Sequence, residues 1–259
     1  MLKDNVDTFD MPTTAGSASL EGFVPDDDAF ISARLRAAGA LILAKTNLHE
    51  FAIWGETASS ILGQTVNPYD PTRTPGGSSG GTAAAIACNI GIVGIGTDTI
   101  NSIRSPSSAC SLVGIRPTIG LVSRDGIVPY SLTQDTAGPI CRTVEDAVRT
   151  LDVIAGYDTA DAQTAWGVGH QPKSYVPFLK MDGMRGKRIG VLERFFGSRE
   201  CNRDVNRVVR EAMAYFERGG ATLVSIEDDI DSAWLTENVS VHLDDLSTKI
   251  GRASCRERV

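Results

Sequence analysis

The stretch Gly76 to Arg104 reads GGSSGGTAAAIACNIGIVGIGTDTINSIR, and its serines are the residues whose types and spacing could do chemistry. A serine hydroxyl becomes a nucleophile when a base takes its proton, and it needs donors nearby to hold the charge that develops on the attacked carbonyl. Ser78 and Ser79 are flanked by Gly76, Gly77, Gly80 and Gly81. That much glycine suits a tight turn with positive φ, or a close approach by another group. Thr82 to Asn89 is alanine-rich and compatible with a helix. The turn would then sit at a helix N-terminus, where free N–H groups and the dipole favour an anion. Ile90 to Ile95 reads as a buried strand, so Thr97 to Arg104, which carries Ser102, leaves a strand end, where open α/β sheets bind their ligands. A Gly/Ser cluster by itself also fits an ordinary turn or linker. Linkers, however, are not normally followed directly by a helix and an apolar strand. A phosphate-binding loop is a poor fit, because no Gly-Lys-Ser/Thr follows the glycines.

The flanking segments supply elements that could position such a loop. Asp26 to Asp28 offer N-caps and first-turn charge for a helix over Ala29 to Ala38, ended by Gly39, with Ala40 to Ala44 following as a buried strand. Ile115 to Val128 reads as a hairpin with turns at Pro117 to Gly120 and Arg124 to Gly126. Thr143, with Asp146 three residues later, caps a helix bearing Val144, Ala147, Val148, Leu151 and Ile154. Arg188 to Leu192, Asp204 to Arg218 and Ala221 to Ile226 read as strand, amphipathic helix and strand. Helices alternating with strands through short links predict an α/β fold with a doubly wound sheet. The last strand–helix–strand unit fits either a small separate domain or an extension of the same sheet, and a single domain is the reading adopted. Lys45 fits a functional cation or a paired surface group. Asp98 and Arg104 fit a loop-shaping pair or an ordinary surface pair.

Composition narrows the function classes. A chain of 259 residues with a net charge of −7 can bury a substantial core but carries no electrostatic footprint for nucleic acid. The five cysteines form no CxxC pair, which argues against a zinc site or a disulfide framework and fits reduced thiols in a cytoplasmic protein. No signal peptide and no long apolar run is present, so no membrane partner is indicated.

Three segments, PGGSSGGTAAAIA, GTDTINSIRSPSSACSLVGIRPTIGLVSRDGIVP and QDTAGPICRTVEDAV, resemble successive blocks of the amidase signature family. DNVDTFDMPTTAGSASLEGFVPDDDAFISARLRAAGALILAKTNLHEFA resembles the region before them, so the likeness runs in register from about Leu2 to Ala155. The resemblance implies a mixed open sheet covered by helices on both faces, truncated at both ends. It also implies a partial single domain over residues 1–249, with 250–259 as a non-native tail. The implied activity is hydrolysis of a small carboxamide to a carboxylate and ammonia or an amine, through an acyl-enzyme on Ser102. Ser78, as the family's serine before an unusual cis peptide, would touch the substrate and relay protons to Lys3. The backbone of Thr99, Ile100 and Asn101 would form the oxyanion hole, with no metal or organic cofactor. Small amides are the implied partners, and a homodimer stays open. His49 is the only histidine in the matching blocks, so a Ser-His-Asp triad has no support.

At a reference pKa of ~10.4 only about one lysine in 2,500 is neutral at pH 7, so Lys3 must be shifted towards ~7–8 to act as base. The chain departs from the family at Ile100 and Asn101, where many members carry two glycines. Asn tolerates a left-handed backbone and β-branched Ile does not, so the donors survive only if the loop's φ and ψ survive. The resemblance also admits the A subunit of a glutamine-dependent amidotransferase, which acts with partner subunits, or a degenerate member that keeps the scaffold without the chemistry.

Overall fold

A computed structural model of the chain describes residues 1–226 and 232–238, so the segment 250–259 lies outside the described residues. In chain order the elements are β1 (Leu2–Lys3), α1 (Phe30–Ala37), β2 (Lys45–Thr46), β3 (Ala58–Ser59), β4 (Gly63–Gln64), α2 (Gly80–Ala87), β5 (Val93–Asp98) and α3 (Arg104–Ala109). There follow β6 (Val113–Gly114), β7 (Thr136–Cys141), α4 (Val144–Ile154), β8 (Arg188–Leu192), α5 (Arg203–Arg218), β9 (Thr222–Ile226) and α6 (Ser232–Asn238). The described residues divide into two compact units, one over residues 1–176 and one that begins at Pro177.

The first unit is built on a five-stranded mixed sheet in the order β2-β1-β5-β7-β6. β1 runs parallel to β2 and β5, while β7 is antiparallel to β5 and β6. Side chains alternate across a strand, and β5, VGIGTD, uses the alternation unequally. Its Ile95 joins Leu2, Val6, Ile31, Leu35, Leu151 and Ile154 in the core under α1 and α4. The opposite face presents Gly94 and Gly96, where an added Cβ would come 2.9 Å from Ile86 of α2 and 2.8 Å from the Ser79 hydroxyl. These glycines let α2 and the turn before it lie directly on the sheet. Ala83, Ile103, Cys110 and Ile140 form the core on that side, between the sheet, α2 and α3. Helices therefore cover both faces, as the resemblance implies.

Several boundaries differ from the sequence reading. Residues 40–44 form no strand, and Leu41 and Leu43 are exposed. Pairing begins at Lys45 because the register Leu2 to Lys45 and Lys3 to Thr46 fixes it. β5 likewise starts at Val93, leaving Ile90 and Ile92 exposed. The Asp26–Asp28 caps are not used: Ala29 precedes α1 without a side-chain cap, and Asp28 accepts from the Phe9 N–H and pairs with Arg36 at 2.9 Å. Between Ile115 and Val128 there is no hairpin. Its turns are present, closed by Leu121 N–H on Thr118 and Ile127 N–H on Arg124, but Val122 bridges to Ala155 and Ile127 to Val6. The Thr143 cap is as expected, accepting from the Asp146 N–H at 3.0 Å. In the second unit β8 and β9 form a two-stranded parallel sheet of their own, where the sequence reading had them extending the main sheet. Among the described residues no helix is long and apolar enough to cross a membrane.

Candidate active site

Lys3 sits in β1, between β2 and β5, and is completely buried. Its Nζ donates to Ser78 Oγ at 2.7 Å and to Thr97 Oγ1 at 2.8 Å, with the Thr97 carbonyl at 3.4 Å. Burial penalises the ammonium and lowers the pKa to about 7, against the opposing pull of the Asp135 and Asp98 carboxylates. Asn5 Nδ2 donates to Thr97 Oγ1 at 3.2 Å and so fixes the lysine's second partner.

Ser78 follows a cis peptide bond, Gly77–Ser78, so the unusual bond lies on the serine's amino side and not after it. The turn is held from several directions. Ser78 O accepts from the His49 N–H at 3.0 Å, and the Thr57 hydroxyl donates to Gly76 O at 2.8 Å while accepting from the Gly80 N–H at 3.0 Å. Ser79 makes no hydrogen bond to the lysine: its Oγ donates to Thr97 O at 3.2 Å. Its N–H donates to Ser102 O at 3.3 Å and ties the two serine-bearing segments together. α2 starts at Gly80, so the turn does stand at a helix N-terminus.

Ser102 opens on a cleft of about 540 Å³ lined also by Trp54, Glu56, Thr99, Ile100, Asn101 and Tyr130. Its loop is shaped from beneath by Asp98, whose side chain is fully buried. The Asp98 carboxylate accepts from the Ile103 N–H at 2.9 Å and from Arg104 Nε at 3.3 Å, with Arg116 Nε at 3.2 Å on its other oxygen. Arg104 also donates to the Ile100 carbonyl. Neither Ile100 nor Asn101 is among the residues with positive φ, so the side chains that replace the usual glycines are held without left-handed strain. Among the described residues none accepts a hydrogen bond from the N–H of Ile100 or Asn101.

Lys3 and Ser78 are thus in direct contact, and Ser102 with Thr99, Ile100 and Asn101 forms the neighbouring wall of the cleft. Lys45 proves to be a paired group, bridged to Asp4 at 3.3 Å and to Thr13 Oγ1 at 2.8 Å. The Asp98–Arg104 pair is the loop-shaping one. Sequence reasoning missed Thr97 and Arg116, because nothing in linear spacing brings Arg116 onto a carboxylate in another strand. The two-sided contact of Thr97 has one trace in the sequence, its position in the alternation of β5. Among the described residues no group of three or more His, Cys, Asp or Glu side chains is arranged to hold a metal ion.

Known proteins resemble this chain over most of its length. A family model of amidases matches residues 1–237. The A subunit of the glutamyl-tRNA(Gln) amidotransferase of Microcystis aeruginosa is 44% identical over 225 residues, covering 87% of this chain and 46% of that protein. Its counterpart in Methanosarcina mazei is 42% identical over 221 residues, covering 85% and 45%. Among solved structures, the peptide amidase of Stenotrophomonas maltophilia superposes with a TM-score of 0.87 at 41% identity, over 100% of this chain and 53% of that one. The glutamyl-tRNA(Gln) amidotransferase A subunit of Thermotoga maritima gives 0.85 at 33% identity, over 99% and 56%. The chain spans about half the length of the curated relatives it matches. With this match and the mixed sheet shared with those structures, the chain belongs to the amidase signature family.

Proposed function

We propose that the protein cleaves a carboxamide C–N bond, as a hydrolase of linear amides, through an acyl-enzyme on Ser102. The observation that carries this reading is the 2.7 Å hydrogen bond from Lys3 to Ser78, made by a buried lysine whose pKa is near 7. A neutral Lys3 accepts the Ser78 proton while Ser78 accepts that of Ser102, and Ser102 Oγ attacks the amide carbon. The N–H groups of the Thr99–Ile100–Asn101 loop stabilise the oxyanion. The proton returns through Ser78 to the leaving nitrogen as the C–N bond breaks, and water then hydrolyses the ester by the same relay, leaving a carboxylate. Among the described residues the Ser102 hydroxyl makes no hydrogen bond, so the outer link of the relay closes on substrate binding, when catalytic hydrogen bonds commonly tighten. A cytoplasmic setting fits the free thiols of Cys88, Cys110, Cys141 and Cys201. The partner is a small amide, and a homodimer stays open.

The test is intact-mass analysis and peptide mapping after treatment with a fluorophosphonate. One adduct on Ser102, absent in Ser102→Ala and slowed in Lys3→Ala, is the expected result. An adduct on Ser79 overturns the assignment, and no adduct on a folded chain favours a scaffold without chemistry. A second reading, the A subunit of a glutamine-dependent amidotransferase, is favoured by the names of the curated relatives at 42–44% identity. Ammonia release from glutamine that requires copurifying subunits would select it.

A further inference from the structure

We infer that Asp135 is a positioning residue for the Ser102 chemistry, its carboxylate joining the head of the nucleophile loop to the backbone at Tyr130 and Ser131. The inference rests on the acyl-transfer reading above. Asp135 is buried at the edge of β7, and its two oxygens are used separately. Oδ1 accepts from the Thr99 hydroxyl. Oδ2 accepts from the Tyr130 N–H at 2.7 Å and the Ser131 N–H at 2.9 Å. Thr99 begins the loop that leads through Ile100 and Asn101 to Ser102, and Tyr130 lines the same cleft. One side chain therefore ties the loop that would hold the oxyanion to the segment that carries Tyr130. Asp98 clamps the other end of that loop, at Ile103 and Arg104. With both ends held by carboxylates, Ile100 and Asn101 can present their N–H groups without glycine.

The same carboxylate acts on Lys3 at a distance. Lys3 is influenced by Asp135, Asp98 and His49, and Asp135 in turn by Lys3, Arg124 and the Tyr130 phenol. Asp98 has two guanidinium partners of its own, and Arg124 is bound by Asp161 at 2.7 Å. A negative Asp135 favours the lysine's ammonium and so holds its pKa up against burial. Desolvation raises Asp135's own pKa, while its three donors and Lys3 oppose that rise. Two effects follow, and they separate by substitution: Asp135→Asn removes the charge, whereas Thr99→Val removes the hydrogen bond to the loop and leaves the charge.

The experiment measures the rate of fluorophosphonate labelling of Ser102 against pH in the full chain, for the parent, Asp135→Asn and Thr99→Val. Both variants should label more slowly, by roughly tenfold to a hundredfold, as small misplacements in a site do. In Asp135→Asn the pH midpoint should also move down, because the ammonium has lost an anionic neighbour. In Thr99→Val it should stay where it is. Parent-like rate and midpoint in Asp135→Asn overturn the inference, as does slowing without a midpoint shift. If Asp135→Asn does not fold, Thr99→Val decides: slow labelling supports the clamp and a parent-like rate removes it. An unlabelled parent chain sinks the acyl-transfer reading first, which is a different result from a labelled parent with indifferent variants.

Discussion

On the proposed relay, chemistry and stability pull on Lys3 in opposite directions. A lysine that must be neutral near pH 7 is obtained by burying it, and burial sets its pKa at about 7 in the folded chain against the ordinary 10.5. Between those values the unfolded chain binds more protons, so this residue makes stability rise with pH across that window and leaves it lowest below about pH 7. Replacing Lys3 by Met abolishes the linkage and, on the proposed mechanism, the base with it. At about pH 6 Lys3→Met should be more stable than the parent by on the order of 1–3 kcal/mol, even with the Ser78 and Thr97 hydroxyls left without their donor. The lead should fade towards pH 10, and labelling of Ser102 should be lost. Urea titrations of both chains across this range provide the check. A lead that does not vary with pH would mean the lysine is not the titrating group.

At the scale of elements, the glycine turn and β5 form one unit, because the turn lies on the sheet where β5 has no side chain. Gly96→Ala places a Cβ about 2.8 Å from the Ser79 hydroxyl. Overpacking of this kind costs about 1–3 kcal/mol, and here it would also push the turn carrying Ser78 off the sheet. Thermal unfolding and Ser102 labelling should both fall in this variant. If labelling held at the parent rate in a destabilised protein, the turn's position would not govern the chemistry. Thr143→Ala is the contrasting change: loss of the α4 cap costs about 1 kcal/mol and should leave labelling untouched, since the cap bonds only within its own helix. That cap was readable from Thr143 and Asp146 because it is local. The β2 and β5 boundaries were not, because Ile90, Ile92, Leu41 and Leu43 have the composition of strand residues but lie outside the pairing that Leu2 and Lys3 dictate. Ser78 and Ser79 could be found from their glycines, Ser102 from its place after an apolar strand, and Lys3 only through the family's blocks. Thr97, Arg116 and the contacts of Asp135 depend on which strands are neighbours, and spacing does not carry that.

For the whole molecule the two units are unequal. Lys3, Ser78, Thr97, Ser102, Arg116 and Asp135 all belong to residues 1–176, the unit that contains the five-stranded sheet and the main core. The end of that unit is pinned, with Asp152 accepting from the Tyr175 N–H at 2.7 Å and Tyr175 packing against the core. The unit that begins at Pro177 has little to bury. α5 contains no buried residue, and Val205 and Val208 are exposed. A two-stranded sheet with two helices, one of them only seven residues long, rarely encloses enough apolar surface to stand alone. A chain ending at Val176 should therefore unfold cooperatively and label at Ser102 at a rate within about an order of magnitude of the longer chain, as expected of a domain with its own core. Residues 177–259 alone should give some helical circular dichroism and no cooperative transition. Loss of labelling from a well-folded 1–176 chain would mean that later residues supply part of the site, and the relay would then have to be sought beyond the groups that surround Lys3.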